Sequence, residues 1–209
     1  FTVAGFLMVY ATASLPLTIS IPLVVVATVL LGIAVEKIAY KPLRTAPRMS
    51  VMISAIGMSY LLQNSMWYVT GGLAKQFPDI PLISQSVRVF GVKDKLAVFI
   101  SPLVAVVLMV ILVLIINHTK FGMSMRAVSK DFETAQLMGV KINRVISMTF
   151  IIGSSLAAIG GVLIANHVGQ VNFFIGFIAG IKAFTAAVLG GIGSIPGAMV
   201  GGILLGIIE

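Results

Sequence analysis

Cysteine is absent from the 209 residues, which excludes disulfide, zinc-thiolate and thiol chemistry. Charge is scarce too: Asp, Glu, Lys and Arg make up 10% of the chain, against about 25% in an ordinary soluble domain. With 59% of its residues hydrophobic and a mean hydropathy of +1.13, the chain cannot cover itself with a polar surface. It is an integral membrane protein. Strict alternation of apolar and polar residues is missing as well, and the apolar runs are far longer than a barrel strand, which excludes a β-barrel. Helices are the remaining way to satisfy a backbone in lipid. Nothing matches Gly-x-x-x-x-Gly-Lys-Ser/Thr, because the glycine-rich stretch 190–197 contains no lysine. ATP, if it drives this protein, is bound by another chain.

Acids are the rarest charged residues, six against fourteen Lys and Arg. Only Glu36 and Glu209 lie in or beside apolar runs, both near run ends. A stand-alone secondary carrier needs intramembrane groups to couple ions, so that alternative is poorly supplied. An intramembrane serine protease is a third reading: Gly153-Ser154-Ser155 and His167 provide the residue types, but Leu156 stands where a rhomboid-like motif has glycine. His118 has no nearby carboxylate, so neither a metal nor a cofactor is expected. The sequon Asn117-His118-Thr119 is a chance match on the side assigned below to the cytoplasm.

The apolar runs predict an all-α, polytopic helical bundle. A short run at 1–13 is followed by the turn Leu15-Pro16, then by spans at 19–40, 50–68, 97–116 and 146–165. Trp67-Tyr68 is an interfacial aromatic pair, and the connection 71–96, with Pro78 and Pro81, has room for a small strand pair or a surface helix. The run 177–189 is too short to cross about 30 Å at 1.5 Å per residue. The break from Gly190 to Gly197 and a new apolar run after it predict a half-helix, a break and a second helix, or else a plain turn outside the membrane between two short helices. The basic residues assign the sides. Lys41, Arg44, Arg48, Lys120, Arg126, Lys130, Lys141 and Arg144 fall in two connections on one face, against Lys75, Arg88, Lys93 and Lys95 on the other. The eight-to-four bias puts 117–144 in the cytoplasm. Small residues recur four apart at Gly153/Ala157/Gly161, Gly176/Gly180, Gly197/Gly201 and Gly202/Gly206, as in tightly packed membrane helices.

The polar stretch 117–144 holds seven of the twenty charged residues. Within it Met125, Val128, Phe132, Ala135 and Gly139 fall at spacings of 3, 4, 3 and 4, one face of a helix. Asp131 is placed to cap, Glu133 sits in the first turn, and Gly139 suits the position just past the end. These signals predict a two-turn surface helix at about 132–138, with Asn143 capping the next span.

Glu133-Thr134-Ala135 with Gly139 resembles the EAA-x-x-x-G coupling motif of ABC-importer permeases. The run Met125-Arg126-Ala127-Val128-Ser129-Lys130-Asp131-Phe132-Glu133-Thr134-Ala135-Gln136-Leu137-Met138-Gly139-Val140 resembles the branched-chain amino acid permease family in particular. So do Tyr40-Lys41-Pro42-Leu43-Arg44 and the run from Gly180-Ile181-Lys182-Ala183-Phe184-Thr185 to Pro196-Gly197-Ala198, so the likeness covers nearly the whole chain. It departs from the general motif at Thr134, which replaces an alanine, and in lacking the Ile-x-Leu-Pro tail, where Thr149-Phe150-Ile151-Ile152 stands.

The resemblance implies one transmembrane permease domain over 1–209, part of a longer chain in a bacterial-type inner membrane. Its implied partners are a second permease, two ATP-binding subunits and an external amino-acid-binding protein. Asp131, Phe132, Glu133, Thr134, Ala135 and Gly139 would then form the helix that docks on the ATPase. Lys182, inside an apolar run, is an expected pathway or substrate residue, or else a snorkelling one. Gln63 and Asn64, with Asn166, His167, Gln170 and Asn172, are expected at a polar mouth facing the binding protein.

Overall fold

The computed structural model describes residues 1–43, 48–77, 86–89, 92–191 and 193–209. Arg44 of the basic connection, Pro78, Pro81 and Ile192 of the break lie outside the described residues. Among the described residues the chain is an all-α membrane bundle: α1 (Thr2–Ser14), α2 (Leu17–Val35), α3 (Arg48–Thr70), α4 (Leu96–His118), α5 (Lys120–Lys130), α6 (Phe132–Leu137), α7 (Ile142–Val168), α8 (Ile175–Leu189) and α9 (Ile195–Ile208). Four short strands complete it: β1 (Lys75–Gln76), β2 (Ser86–Val89), β3 (Val92–Lys95) and β4 (Gln170–Val171). Three helical stretches, 17–43, 100–118 and 142–168, are long and apolar enough to cross a membrane. At 23 residues α3 matches them in length but carries more hydroxyl and amide groups.

Local chemistry sets the breaks. Leu15 is extended (φ −130°, ψ 148°) because the residue before a proline is pushed out of the helical region, and Pro16 then opens α2. Hydroxyls inside the spans return to their own backbone: Thr28 Oγ1 donates to the Val24 carbonyl at 2.7 Å and Ser155 Oγ to that of Ile151 at 2.8 Å. That answers the lack of water in lipid. Past Val35 the helix widens into a π turn over Glu36–Tyr40 and tightens again at Lys41–Leu43. There Glu36 is buried and accepts a hydrogen bond from Ser147 Oγ of α7 at 3.1 Å.

The core lies where α1 is wrapped by α2 and α7. Ala4, Phe6 and Met8 are fully buried against Val24, Ala158 and Ala165. Small residues on α7 permit this approach, since a Cβ on Gly161 would stand 2.7 Å from the Phe1 carbonyl oxygen. At one end of the bundle β1 and β4 pair antiparallel, Lys75 opposite Val171 and Gln76 opposite Gln170. The ends of α3 and α7 therefore share one face of the molecule. Of the strand pair and the surface helix for which the 71–96 connection has room, the described residues hold the strand pair, β2 with β3, Val87 opposite Asp94. α5 and α6 lie at the other end.

The last two helices form a hairpin. α8 starts below the strand end, with the Phe177 ring 5.9 Å from Tyr60, midway along α3. After the break α9 returns antiparallel, so that Gly197 lies against Gly190, Gly201 against Ala186, and Glu209 reaches Lys182. The fold thus contains the half-helix, break and second helix that the run lengths predict.

Candidate functional site

Two features stand apart from the packed bundle: a capped helix at the charged end, and a cavity between α2, α3, α8 and the first turn of α1.

The charged end is built from two helices. Asp131 is extended (φ −150°, ψ 114°) and separates α5 from α6, so the five-residue face from Met125 to Gly139 is not continuous. An aspartate there stops one helix and starts the next, because its carboxylate bonds local backbone N–H groups more readily than it tolerates a helix interior. Asp131 Oδ1 accepts from the Glu133 and Thr134 amides at 3.0 and 3.2 Å, and Oδ2 accepts from Thr134 Oγ1. Thr134 departs from the motif's alanine, and its hydroxyl locks the cap. α5 carries helical spacing at Met125 and Val128, and Thr119 signals its start, but the spacing alone does not separate it from α6. The Gly122 amide donates to Thr119 Oγ1 at 3.0 Å, and a Cβ on Gly122 would strike the Ile115 and Ile116 carbonyls at the corner with α4.

The other end of α6 is fixed as firmly. Gly139 is left-handed (φ +80°), its amide donates to the Gln136 carbonyl at 3.0 Å, and the Val140 amide donates to that of Ala135 at 3.1 Å. This is the double closure that a glycine just past a helix end makes possible. α7 starts with Lys141 at its cap and no side-chain capping bond, so the expectation that Asn143 caps it is corrected. Ala135 is buried, in a helix packed against α7, while Glu133 is exposed. Phe132, Leu137 and Met138 are 44%, 87% and 80% exposed. A six-residue helix has little stability of its own. Here two caps and Ala135 hold it, and its apolar side chains point away from the bundle.

Hydrogen bonds from Thr134, first the hydroxyl and then the amide, hold the Asp131 carboxyl below its ordinary value of 3.8. A carboxylate whose pKa is lower when folded contributes stability above its unfolded pKa and loses it as the pH falls through the folded value. The cap is therefore full at neutral pH and fails only in acid, below about pH 4. Replacing Asp131 with Ala is expected to speed amide hydrogen exchange across 132–138 several-fold at pH 7. Asn, which also caps, should restore most of the protection, and equal exchange in the Ala variant would refute the cap.

The cavity holds about 260 Å³ and is lined by Thr28, Ser59, Gln63, Phe177 and Gly180 among others. Gln63 is 9% exposed, and its Oε1 is buried with no hydrogen-bond partner among the described residues. An unmet buried polar atom costs about 1–3 kcal/mol, which makes it a feature to explain. Asn64, its neighbour, is exposed and donates to the Tyr60 carbonyl at 2.8 Å. The polar mouth is therefore divided: Gln63 turns inward, Asn64 outward, Gln170 joins the β1–β4 pair, and Asn172 Oδ1 accepts from the Phe174 amide at 3.1 Å. Lys182 is half exposed and pairs with Glu209, Nζ to Oε1 at 2.5 Å, across the α8–α9 hairpin. It is not among the residues lining the cavity. Thr28, Ser59 and Gly180 are cavity residues that sequence reasoning missed, since hydroxyls and glycines are common in membrane helices and nothing local says which way they face.

The protease alternative fails on geometry. Ser155 and His167 share α7, twelve residues apart, or about 18 Å along the axis. The serine hydroxyl is already committed to its own helix.

Against known proteins, residues 1–209 match the family described as branched-chain amino acid transport system, permease component. The high-affinity branched-chain amino acid transport system permease protein LivH of Escherichia coli K12 is 42% identical over 184 residues, 85% of this chain and 59% of that protein. BraD of Pseudomonas aeruginosa, of the same description, is 42% identical over 191 residues, 88% of this chain and 61% of its own. A probable LivH of Methanocaldococcus jannaschii is 28% identical over 199 residues, 91% of this chain and 61% of its own. The chain thus spans about three fifths of the length of these relatives. No solved structure matches it.

Proposed function

Because the chain belongs to the branched-chain amino acid transport permease family, we propose that it is a membrane-spanning subunit of an ATP-driven importer. The cargo is a branched-chain or related small amino acid, handed over by an external binding protein. A second permease completes the pathway, and two ATP-binding subunits on the cytoplasmic face of an inner membrane supply the work by alternating access. Residues 1–209 form one permease domain of the longer protein. Lys182, on this reading, braces the α8–α9 hairpin rather than meeting cargo.

One observation carries this reading: α6 is fixed by Asp131 and Gly139 while leaving Leu137 and Met138 outside the bundle. Such a helix serves as a rigid knob for a groove on a partner, and Phe132, Glu133, Thr134 and Ala135 build it. The excess of Lys and Arg around it supports the cytoplasmic side.

The test is uptake by the full-length permease reconstituted with its partners in proteoliposomes. Leucine accumulation is expected to need internal ATP and external binding protein together. Accumulation that persists after ATP is depleted, or is driven by an ion gradient alone, would sink the importer reading.

A further inference from the structure

We propose that the cavity between α2, α3, α8 and the first turn of α1 is a cargo station for an aliphatic amino acid, in which Gln63 receives the ammonium group and Gly180 leaves room for the side chain. The proposal deepens the importer reading and rests on it.

The lining decides the chemistry. Among the described residues no Asp, Glu, Lys or Arg side chain borders the cavity, so a ligand of net charge would lose its hydration without a counter-charge. A zwitterion is neutral overall and needs local partners only. For its ammonium there is the unpartnered Gln63 Oε1, buried and facing the cavity. Thr28 Oγ1 spends its proton on the Val24 carbonyl, so toward the cavity it also acts as an acceptor. The Ser59 hydroxyl is a donor for the carboxylate, and the first turn of α8, at Gly176 and Phe177, forms part of the wall. The positive end of that helix dipole favours the carboxylate on the same side. Leu31, Leu62 and Phe177, with Phe1 and Val3 at the start of α1, make most of the remaining wall apolar, and the Thr2 hydroxyl there already accepts from the Gly176 amide.

Size points the same way. At about 260 Å³ the space falls just under the range of about 300–1,000 Å³ typical of drug-sized ligands, which suits a molecule of a few heavy atoms. A Cβ on Gly180 would have nothing within 4 Å, so the glycine borders open space rather than a neighbouring helix. Gly176 on the preceding turn is the opposite case, because a Cβ there would strike Thr2. Gly180 is thus the position where a side chain would occupy the ligand's volume without disturbing the packing. Ser59, Gly176, Phe177 and Gly180 also line a second, more open space of about 660 Å³ between α3 and α8, which reaches Ala55 and Phe184. The station therefore has a way out along α8, toward the hairpin break and away from the strand end.

Leucine and alanine uptake should be compared in proteoliposomes containing the full-length permease, its partner permease, the ATP-binding subunits and the binding protein. Gly180→Leu is expected to lower leucine uptake at least tenfold with the complex assembled in normal amount. Gly180→Ala should raise the KM for leucine more than that for alanine, a selectivity change that a folding defect would not produce. Gln63→Leu should raise both KM values about tenfold. Gly57→Leu, on an exposed part of α3 where a Cβ also meets nothing, should transport as the unaltered protein does. Unchanged leucine kinetics in both Gly180→Leu and Gln63→Leu would overturn the station while leaving the importer intact. Failure of the unaltered complex to take up leucine would overturn the importer reading instead.

Discussion

On the importer reading proposed above, replacing Leu137 and Met138 together with Gln is expected to cut uptake at least tenfold and to strip the ATP-binding subunits from the purified permease. The two side chains are 87% and 80% exposed at the end of α6; Met138 is the C-cap, but it caps through its backbone amide, and neither side chain reaches the core. Gln keeps the length and the helix propensity of the originals, so α6 should persist between its caps. What is lost is apolar surface for a partner to cover. Fully burying a Leu or Met side chain contributes about 1.5–3 kcal/mol, and each 1.4 kcal/mol is tenfold in affinity. Even half of that burial, lost at both positions, exceeds a factor of ten. The checks are co-purification in mild detergent and uptake in the same preparation, with circular dichroism to confirm the helices. Full co-purification with normal uptake would show that the ATPase docks elsewhere.

The second large effect lies in the α8–α9 hairpin. Gly201→Val is expected to destabilise the protein by about 3 kcal/mol, near the upper end for overpacking. That lowers the midpoint of thermal unfolding by roughly 6–12 °C at this size. A Cβ on Gly201 would drive into the Ala186 carbonyl and stand 2.9 Å from the Gly190 amide nitrogen. Both are backbone atoms, so relief requires the two helices to separate, and α8 carries one wall of the cavity with it. Uptake should fall along with stability. Gly206→Val is the matched control, five residues on in the same helix, where a Cβ meets nothing within 4 Å. It should stay within about 0.5 kcal/mol of the unaltered protein. Thermal unfolding in detergent, followed by size-exclusion chromatography, separates the two, and equal midpoints would refute the close crossing.

These two glycines show where sequence reasoning stops. Four-residue spacing places Gly197 and Gly201, or Gly202 and Gly206, on one helical face, as it does Gly153 and Gly161. It cannot say whether another helix lies there. In the fold Gly161, Gly176, Gly197 and Gly201 sit against neighbours, whereas Gly153, Gly180 and Gly206 face open space. Gly176 and Gly180 even belong to one spaced pair and have opposite roles. A spacing is a property of one helix, and a contact is a property of two.

α6 is legible from the sequence for a matching reason. Asp131 caps through amides two and three residues ahead, and Gly139 closes bonds that reach back three to five residues. Every hydrogen bond that caps this helix lies within a span of ten residues, so the order of side chains suffices to place it, and only the burial of Ala135 against α7 needs the fold. The membrane class and the break after α8 are equally plain, because burial of apolar surface and the length needed to cross a bilayer depend only on composition and run length. The two β1–β4 pairs join residues 96 and 94 positions apart, the Glu36–Ser147 bond residues 111 apart and the Lys182–Glu209 pair residues 27 apart. None carries a local signal. The cavity belongs with them, since Thr28, Gln63 and Gly180 meet only after three helices have packed. By itself the sequence determined the apolar spans, the capped helix α6 and which end carries most of the charge, since each follows from composition, run length or interactions a few residues long. Which faces those helices turn to one another, and hence that Gln63 borders an empty space instead of lipid, was decided by tertiary packing, where the partners of each side chain come from distant parts of the chain.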